Sequence, residues 1–518
     1  IVGHMGCDDG EMTADLYRSE RYLVHGLATD TSKVKKTRAH IASRGLYGDV
    51  SAERFDGRNL PYGDNIVNLV VVEKAFDLSG GEIKRVLAPG GAAMVATGAS
   101  GLEFPNLPKT KARGWTIFRK PWPEGIDEWT HYLHDSSGNC VTDDKKVGAP
   151  RHLQWFSGPK HSRHHDALAS MSAMTSSSGR VFYIYDEGPI SVMHRPPEWK
   201  LIARDAFNGS RLWKVPIRRW GWREWKQSWF TSRPGHIPLN LEKKLVAVGD
   251  DVYVTLGYDA PVSRLDARTG EIEKTYSGTE KTSEILYLDG TLYLTVLRGD
   301  ACRVMAVDAS SGETLWTTDE DYQGTKTDYV KLQAARGRMQ VDHIDPTLNT
   351  ATDGSVVAFL DQGQLVALNA RTGEEKWCTS FPLKKADLSA GGIDNSEGHL
   401  WVGTVIVKDG VVLHASPSRL GAFSAETGEK LWTAPKSFLQ HLWYEWKDVF
   451  VIDGVVWTWS GKLERGDLKG GGRSVWPATA RGYDLHSGKV KREVDLGNIF
   501  KTHHHHRCYP NKATSRYI

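Results

Sequence analysis

The sequence predicts two modules in tandem, an open α/β sheet followed by an all-β propeller, on three observations. Short apolar strands alternate with helical patterns over the first 120 residues, a strand–turn–strand motif then recurs six times, and all 19 tryptophans lie at or after Trp115. Alternation of strand and helix marks a parallel sheet with crossover helices. Self-similarity at a fixed period marks a repeat architecture. A proline-rich stretch at Pro105, Pro108, Pro121 and Pro123 falls where the tryptophans begin. The boundary is therefore set there, giving domains at 1–120 and 121–518.

A chain of 518 residues has room for two or three cores. Its formal net charge of +3 excludes the concentrated basic surface of an electrostatic nucleic-acid binder. Nowhere does an apolar run approach the ~20 residues of a membrane span. Five scattered cysteines (Cys7, Cys140, Cys302, Cys378, Cys508) argue against a disulfide framework and against a Cys-rich zinc site. Both ends fall in strand-like segments, so the sequence reads as a fragment with an incomplete propeller. The whole protein is expected to carry seven or eight blades.

In the first domain, strands read at 1–6, 22–27, 66–72 and 92–97, with a weaker one near 50–55. Helical spacing covers Ser32 to Arg44 and Gly80 to Leu87. Chemistry in such a sheet belongs at strand ends. Strand one is followed by Gly6-Cys7-Asp8-Asp9-Gly10, where glycines let the backbone approach a ligand. Strand two is followed by Asp30, placed to accept ribose hydroxyls. Strand three is followed by Asp56-Gly57, and a later helix closes on Arg85-Val86-Leu87-Ala88-Pro89-Gly90-Gly91.

This combination resembles the class I S-adenosylmethionine methyltransferases over about the first hundred residues. The resemblance implies a Rossmann-like domain in which Gly6, Cys7, Asp8 and Gly10 lie along the methionine part of S-adenosylmethionine. Asp30 then meets the ribose, and Asp56 with Gly57 faces the adenine. Asp8 stands where the family usually has glycine, and Ala28 where it usually has the acid. Fewer than twenty residues separate strand five from the tryptophan-rich region, so the last two strands are expected to be abbreviated. No catalytic base is named.

The repeats run ARDAFNGSRLW to Trp213, SRLDARTGEIEK to Lys274, MAVDASSGETLW to Trp316, VALNARTGEEKW to Trp377, GAFSAETGEKLW to Trp432 and RGYDLHSGKVKR to Arg492. Their turn glycines, Gly209, Gly270, Gly312, Gly373, Gly428 and Gly488, are spaced 61, 42, 61, 55 and 60 residues apart. A strand pair precedes each copy, making four strands per unit, and radial repetition of such units is a propeller. The pattern resembles the tryptophan-docking repeat of PQQ-type propellers, a family of quinoprotein dehydrogenases and a non-enzymatic outer-membrane assembly propeller. That resemblance implies tryptophans wedged between blades, with altered packing where Lys274 and Arg492 replace them. The bare repeat does not by itself imply bound PQQ.

Histidines cluster at His131 and His134, at His161 to Asp166, and at His503 to His506. Imidazoles a few residues apart can share a transition metal. The expected ligands are His164, His165 and Asp166, joined by His504 and His506 at the propeller axis. Residues 218–233 interleave tryptophan with Arg and Lys, read as blade packing with an exposed rim able to stack on sugars.

The chain as a whole resembles exported bacterial proteins that fuse the two modules. Three functions follow as expectations. The first is S-adenosylmethionine-dependent methyl transfer onto a ligand held by the propeller. The second is metal- or quinone-dependent chemistry, on glycans, at the His-rich face, and the third is a non-enzymatic binding scaffold. Partners are a small molecule or glycan, without nucleic acid or a transmembrane segment, and the expected location is periplasmic or exported.

Overall fold

A computed structural model describes residues 1–99, 101–149, 152–158, 171–189, 197–220, 235–237, 241–324, 341–381, 404–416, 419–435, 449–464, 474–497 and 512–517. The first 119 residues build one seven-stranded sheet: β1 (Val2–Met5), β2 (Val24–Ala28), β3 (Val50–Arg54), β4 (Val67–Val72), β5 (Leu87–Ala96), β6 (Lys109–Ala112) and β7 (Trp115–Arg119). Their order is β3-β2-β1-β4-β5-β7-β6. The first five strands are parallel, and β7 runs antiparallel to both β5 and β6. The last two strands, expected to be abbreviated, are short but both present, as a hairpin.

Three helices complete this unit: α1 (Glu11–Asp15), α2 (Thr31–Ser43) and α3 (Gly80–Val86). Ser79 caps α3, its side chain accepting from Glu82 N. Val34 and Ile41 of α2 pack with Val24 and Val50 on one face of the sheet, while Ile83 and Val86 of α3 pack with Met5, Leu27 and Val70 on the other. Central β1 is buried along its whole length, as a parallel strand covered on both faces must be.

Six four-stranded antiparallel sheets follow at 171–216, 245–275, 282–317, 351–380, 404–435 and 449–497. We call them blades 1 to 6. Within each, the strands pair in chain order, so the first is innermost: Met171–Ser177, Leu245–Val248, Thr282–Leu288, Ala351–Thr352, Thr404–Lys408 and Val449–Ile452. Apolar clusters fill the spaces between successive blades.

The repeat motif explains how blades lock together. At each turn an Asp, Asn or Ser caps the following backbone N–H groups, as Asp205 does for Phe207 and Asn208 and Asn369 for Arg371 and Thr372. In four of the six motifs the closing tryptophan then lies on the turn glycine of the next blade. A Cβ on Gly373 would come within 2.5 Å of the Trp316 ring, and glycine alone fits there at φ +77°. The indole N–H also donates to a backbone carbonyl of that blade: Trp213 to Ala267, Trp316 to Ala370, Trp377 to Ala425 and Trp432 to Leu485, at 2.8–3.0 Å. Trp155, outside the six motifs, serves blade 1 in the same way, through Gly209 and the Ala206 carbonyl. At the blade 2–3 junction, where tryptophan is missing, the Lys274 stem covers Gly312 and the Tyr276 hydroxyl donates to Ala309 O at 2.5 Å. Two residues there do what one indole does elsewhere.

The α/β unit is joined to blade 1 by hydrogen bonds. Asn68 at the start of β4 donates to Asp205, and Asn208 donates to Ile66 O and Asn68 Oδ1, at 2.7–2.9 Å. The blade turn thus meets the sheet at the end where β4 begins, opposite the strand ends that carry the glycine loop.

Candidate functional site

The strand order places the reversal of the α/β sheet between β1 and β4, the point where open sheets bind ligands. Gly6 (φ +107°) leaves β1 there, and a Cβ on it would sit 3.3 Å from Glu73 Cβ and Lys74 N at the end of β4. Gly10 is likewise closed by α2, 3.0 Å from Thr37 Cα. Cys7 is buried, its carbonyl accepting from the Thr37 hydroxyl, and burial pushes its thiol pKa up. Asp8 lies between Lys33, at 3.0 Å, and Lys74. Burial works against its charge, but hydrogen bonds from the two lysines outweigh that and hold its pKa below the usual carboxylate range.

Asp30 is the N-cap of α2, accepting from Ser32 N at 2.7 Å. Asp56 accepts from Arg58 N, Asn59 N and Asn59 Nδ2, and these bonds, Asn59 N foremost, lower its pKa to about 2. Gly57 (φ +87°) approaches Thr29. The glycine loop, Asp30 and Asp56-Gly57 therefore sit at the ends of three adjacent strands, but each acid already has a local partner.

In the propeller, a segment not anticipated from sequence dominates one end. Residues 127–142 form a strap that crosses the finishing ends of all six inner strands. Ser176 N donates to Trp129 O, Ala247 N to Thr130 O, Tyr287 N to His131 Nε2, Thr352 N to Ser136 O and Val407 N to Ser137 O, at 2.7–3.0 Å. Asn139 exchanges two bonds of 2.9 Å with Val451, and Ala513 N donates to Cys140 O. Gly138 passes so close to blade 5 that a Cβ would lie 2.4 Å from Val405 O.

Two strap histidines hold opposite charge states. His131 is fully buried, and that desolvation lowers its pKa to about 4. As a neutral ring accepting at Nε2 it carries its proton on Nδ1, 2.7 Å from Thr130 Oγ1. Burial also works against a charge on His134. There, hydrogen bonds to Asp127 at 2.8 Å and toward Asp135 at 3.3 Å win, raising its pKa to about 9. These histidines, grouped with the metal candidates by their spacing, pin the strap.

The beginning ends of the inner strands carry a different cluster. A single 3-10 turn, Leu241–Lys244, precedes the inner strand of blade 2 and packs against the inner strands of blades 1 and 3. Lys243 Nζ meets Glu284 Oε1 of blade 3 at 2.5 Å and also bonds Asn349 Oδ1, just before blade 4. The other Glu284 oxygen accepts from Thr350 N at 3.0 Å, so one buried carboxylate ties three blades. Neighbouring Lys244 is 1% exposed. Its Nζ lies 4.5 Å from the Tyr258 ring centroid and 5.9 Å from that of Trp220, and donates to Tyr258 O at 3.2 Å. Among the described residues no carboxylate forms an ion pair with it. Burial lowers its pKa to about 8, with Asp345 and Asp259 partly restoring it. The Tyr258 hydroxyl donates to Asp345. Nothing in the sequence singles out Lys243-Lys244 from other polar residues before a strand.

The expected metal ligands His164, His165, Asp166, His504 and His506 lie outside the described residues. No group of three His, Cys, Asp or Glu placed to hold a metal occurs among the described ones. Trp220, from the tryptophan-rich insert, is fully buried and donates to Ser172 Oγ at 3.2 Å, which is packing rather than sugar stacking. No helix among the described residues is long and apolar enough to cross a membrane.

Residues 197–476, more than half of the chain, match the family model for the outer membrane protein assembly factor BamB. The chain belongs to this family. The match lies wholly within the propeller. Among curated relatives, this BamB-family chain is 33% identical over 196 residues to the quinoprotein alcohol dehydrogenase PedH of Pseudomonas putida, covering 37% of this chain and 29% of the relative. It is 27% identical over 195 residues to BamB of Burkholderia pseudomallei, covering 37% and 42%. With the quinohemoprotein alcohol dehydrogenase ADH IIB of Pseudomonas putida it shares 28% identity over 200 residues, covering 38% and 25%. It thus spans less than half the length of each. The solved quinohemoprotein alcohol dehydrogenase from Comamonas testosteroni aligns with a TM-score of 0.41 at 12% identity, over 72% of this chain and 68% of that one.

Proposed function

We propose that this chain is an exported PQQ-type propeller that binds a small anionic ligand of the quinone class at the end of its channel opposite the strap. The observation that carries the reading is Lys244, an ammonium desolvated beside Trp220 and Tyr258 without an ion pair among the described residues. Perturbed, buried cations of this kind are concentrated at functional sites. The residues fit a quinone in one respect and not in another. A cation beside aromatic side chains suits a planar ring bearing carboxylates. One Glu284 oxygen and the Asn349 amide oxygen, by contrast, go to Lys243, and the other Glu284 oxygen goes to Thr350 N, so that pair does not fit a divalent ion. PQQ, when bound, supplies a two-electron acceptor. Lys244 would hold its negative charge, and Tyr258 with Asp345 would hold a proton beside it.

Titration with PQQ, followed by quenching of tryptophan fluorescence, tests this. Lys244→Met removes one charge-assisted contact worth about 1.5–3 kcal/mol, roughly ten-fold or more in affinity. No quenching at millimolar PQQ overturns the reading in favour of a non-enzymatic scaffold.

The strand order of the α/β unit supports a second reading, a nucleotide-cofactor site for S-adenosylmethionine. Ligand would have to replace the local partners of Asp8 and Asp56. It would also sit at the far edge of the sheet from blade 1, about one strand length or roughly 20 Å away, so methyl transfer onto a propeller-bound ligand is disfavoured. Calorimetry with S-adenosylmethionine on the unmodified chain and on Asp56→Ala decides, and no heat from the unmodified chain removes this reading.

A further inference from the structure

We propose that Lys244 is a reactive amine that captures a carbonyl-bearing ligand as an imine at the channel end opposite the strap. The inference deepens the ligand-binding reading above, but it concerns the class of carbonyl compounds rather than PQQ itself.

Three features of the cluster carry it. Lys244 is held where water does not neutralise it, with a carbonyl and two aromatic rings as its neighbours and no ion pair among the described residues. By contrast Lys243, one residue earlier and also buried, is fully committed to Glu284 and Asn349, which is what a structural lysine looks like. The ring over the Lys244 ammonium belongs to Tyr258, only half-buried itself, and its hydroxyl is bonded to Asp345. A hydroxyl–carboxylate pair beside an amine is the relay that imine formation needs. Desolvation, which brings the amine pKa to about 8, agrees with this.

The step balances without any other reagent. The neutral amine attacks the ligand's carbonyl carbon, forming a C–N bond as the carbonyl π pair moves to oxygen. Both amine protons pass to that oxygen, with Tyr258 and Asp345 relaying them, and the oxygen leaves as water.

Reductive labelling with formaldehyde and cyanoborohydride at pH 8, followed by peptide mass mapping, tests the proposal on the unmodified protein without PQQ. About half of Lys244 is neutral at that pH, against on the order of 0.3% of an ordinary lysine. That larger neutral fraction is expected to make Lys244 label faster than exposed Lys109 and Lys111 even though it is only 1% exposed. Tyr258→Phe should slow Lys244 several-fold and leave Lys109 unchanged. Labelling of Lys244 no faster than Lys109 overturns the proposal, whether or not PQQ binds. Fast labelling together with no PQQ quenching would keep the amine and discard the quinone.

Discussion

The strap makes a quantitative prediction about pH. His134 is raised from 6.5 to about 9 in the folded protein, so it contributes stability that is fully present below pH 6.5 and lost as pH rises through 9. At 1.36 kcal/mol per tenfold change in proton affinity, the rise from 6.5 to about 9 corresponds to about 3 kcal/mol. His134→Asn removes the titration and keeps a residue that tolerates the backbone φ of +82°. The variant should be less stable than the parent at pH 6.5, and the gap should shrink by about 3 kcal/mol by pH 9.5. Urea unfolding followed by tryptophan fluorescence reads mainly the propeller, since Trp115 is the only tryptophan in the first 120 residues. His131 supplies the opposite limb. Lowered to about 4, it gives stability that is present above pH 6.5 and lost as pH falls toward 4. A parent protein whose stability shows no maximum near pH 6.5, or a variant gap equal at both pH values, refutes the assigned charge states.

Three further outcomes follow from the packing. Glu284→Gln leaves the Lys243 ammonium buried with a neutral partner and should cost about 3–5 kcal/mol in thermal or urea unfolding. Gly373→Ala drives a Cβ to 2.5 Å from Trp316 at a positive φ, and should lower stability by about 2–4 kcal/mol where exposed-turn Gly410→Ala, with open space around it, costs about 1–2. Lys274→Trp should not stabilise the blade 2–3 junction unless Tyr276 is shortened as well, because Tyr276 already bonds the Ala309 carbonyl. A double-mutant cycle with Tyr276→Leu measures that coupling.

Much of the propeller was legible because its determinants are local and repeated. The Asp-x-x-Thr/Ser-Gly turn states its own geometry, and a tryptophan after the second strand states which neighbour it needs. The substitution at Lys274 could be seen, but its remedy could not, since Tyr276 compensates across a junction that sequence does not display. The α/β strands were legible for the same reason, through apolar runs set between helical patterns. The ends of those strands were harder to read. An acid after a strand looks the same in sequence whether or not it also caps a helix, as Asp30 does. Nothing in DEWTHYLHDSSGNC announces a strap, because its partners on the blades and beyond lie from 47 residues away (Trp129 to Ser176) to 373 (Cys140 to Ala513), and it bonds them mostly through backbone and short polar side chains. Lys244 was silent too: only its tertiary neighbours distinguish it from Lys243.

The strap also constrains the order in which this molecule is put together. It precedes every blade in the chain, yet Asn139 bonds Val451, 312 residues later. Its Trp129 end can bond blade 1 early, but its Asn139 end must wait until the sixth blade has been synthesised and folded, and contacts of such long sequence separation form late. Before then the backbone and amide groups at that end are open to solvent and to other chains. The protein thus emerges from synthesis with part of its strap still to be paired, and whatever accompanies the nascent chain has this stretch to shield until the sixth blade arrives.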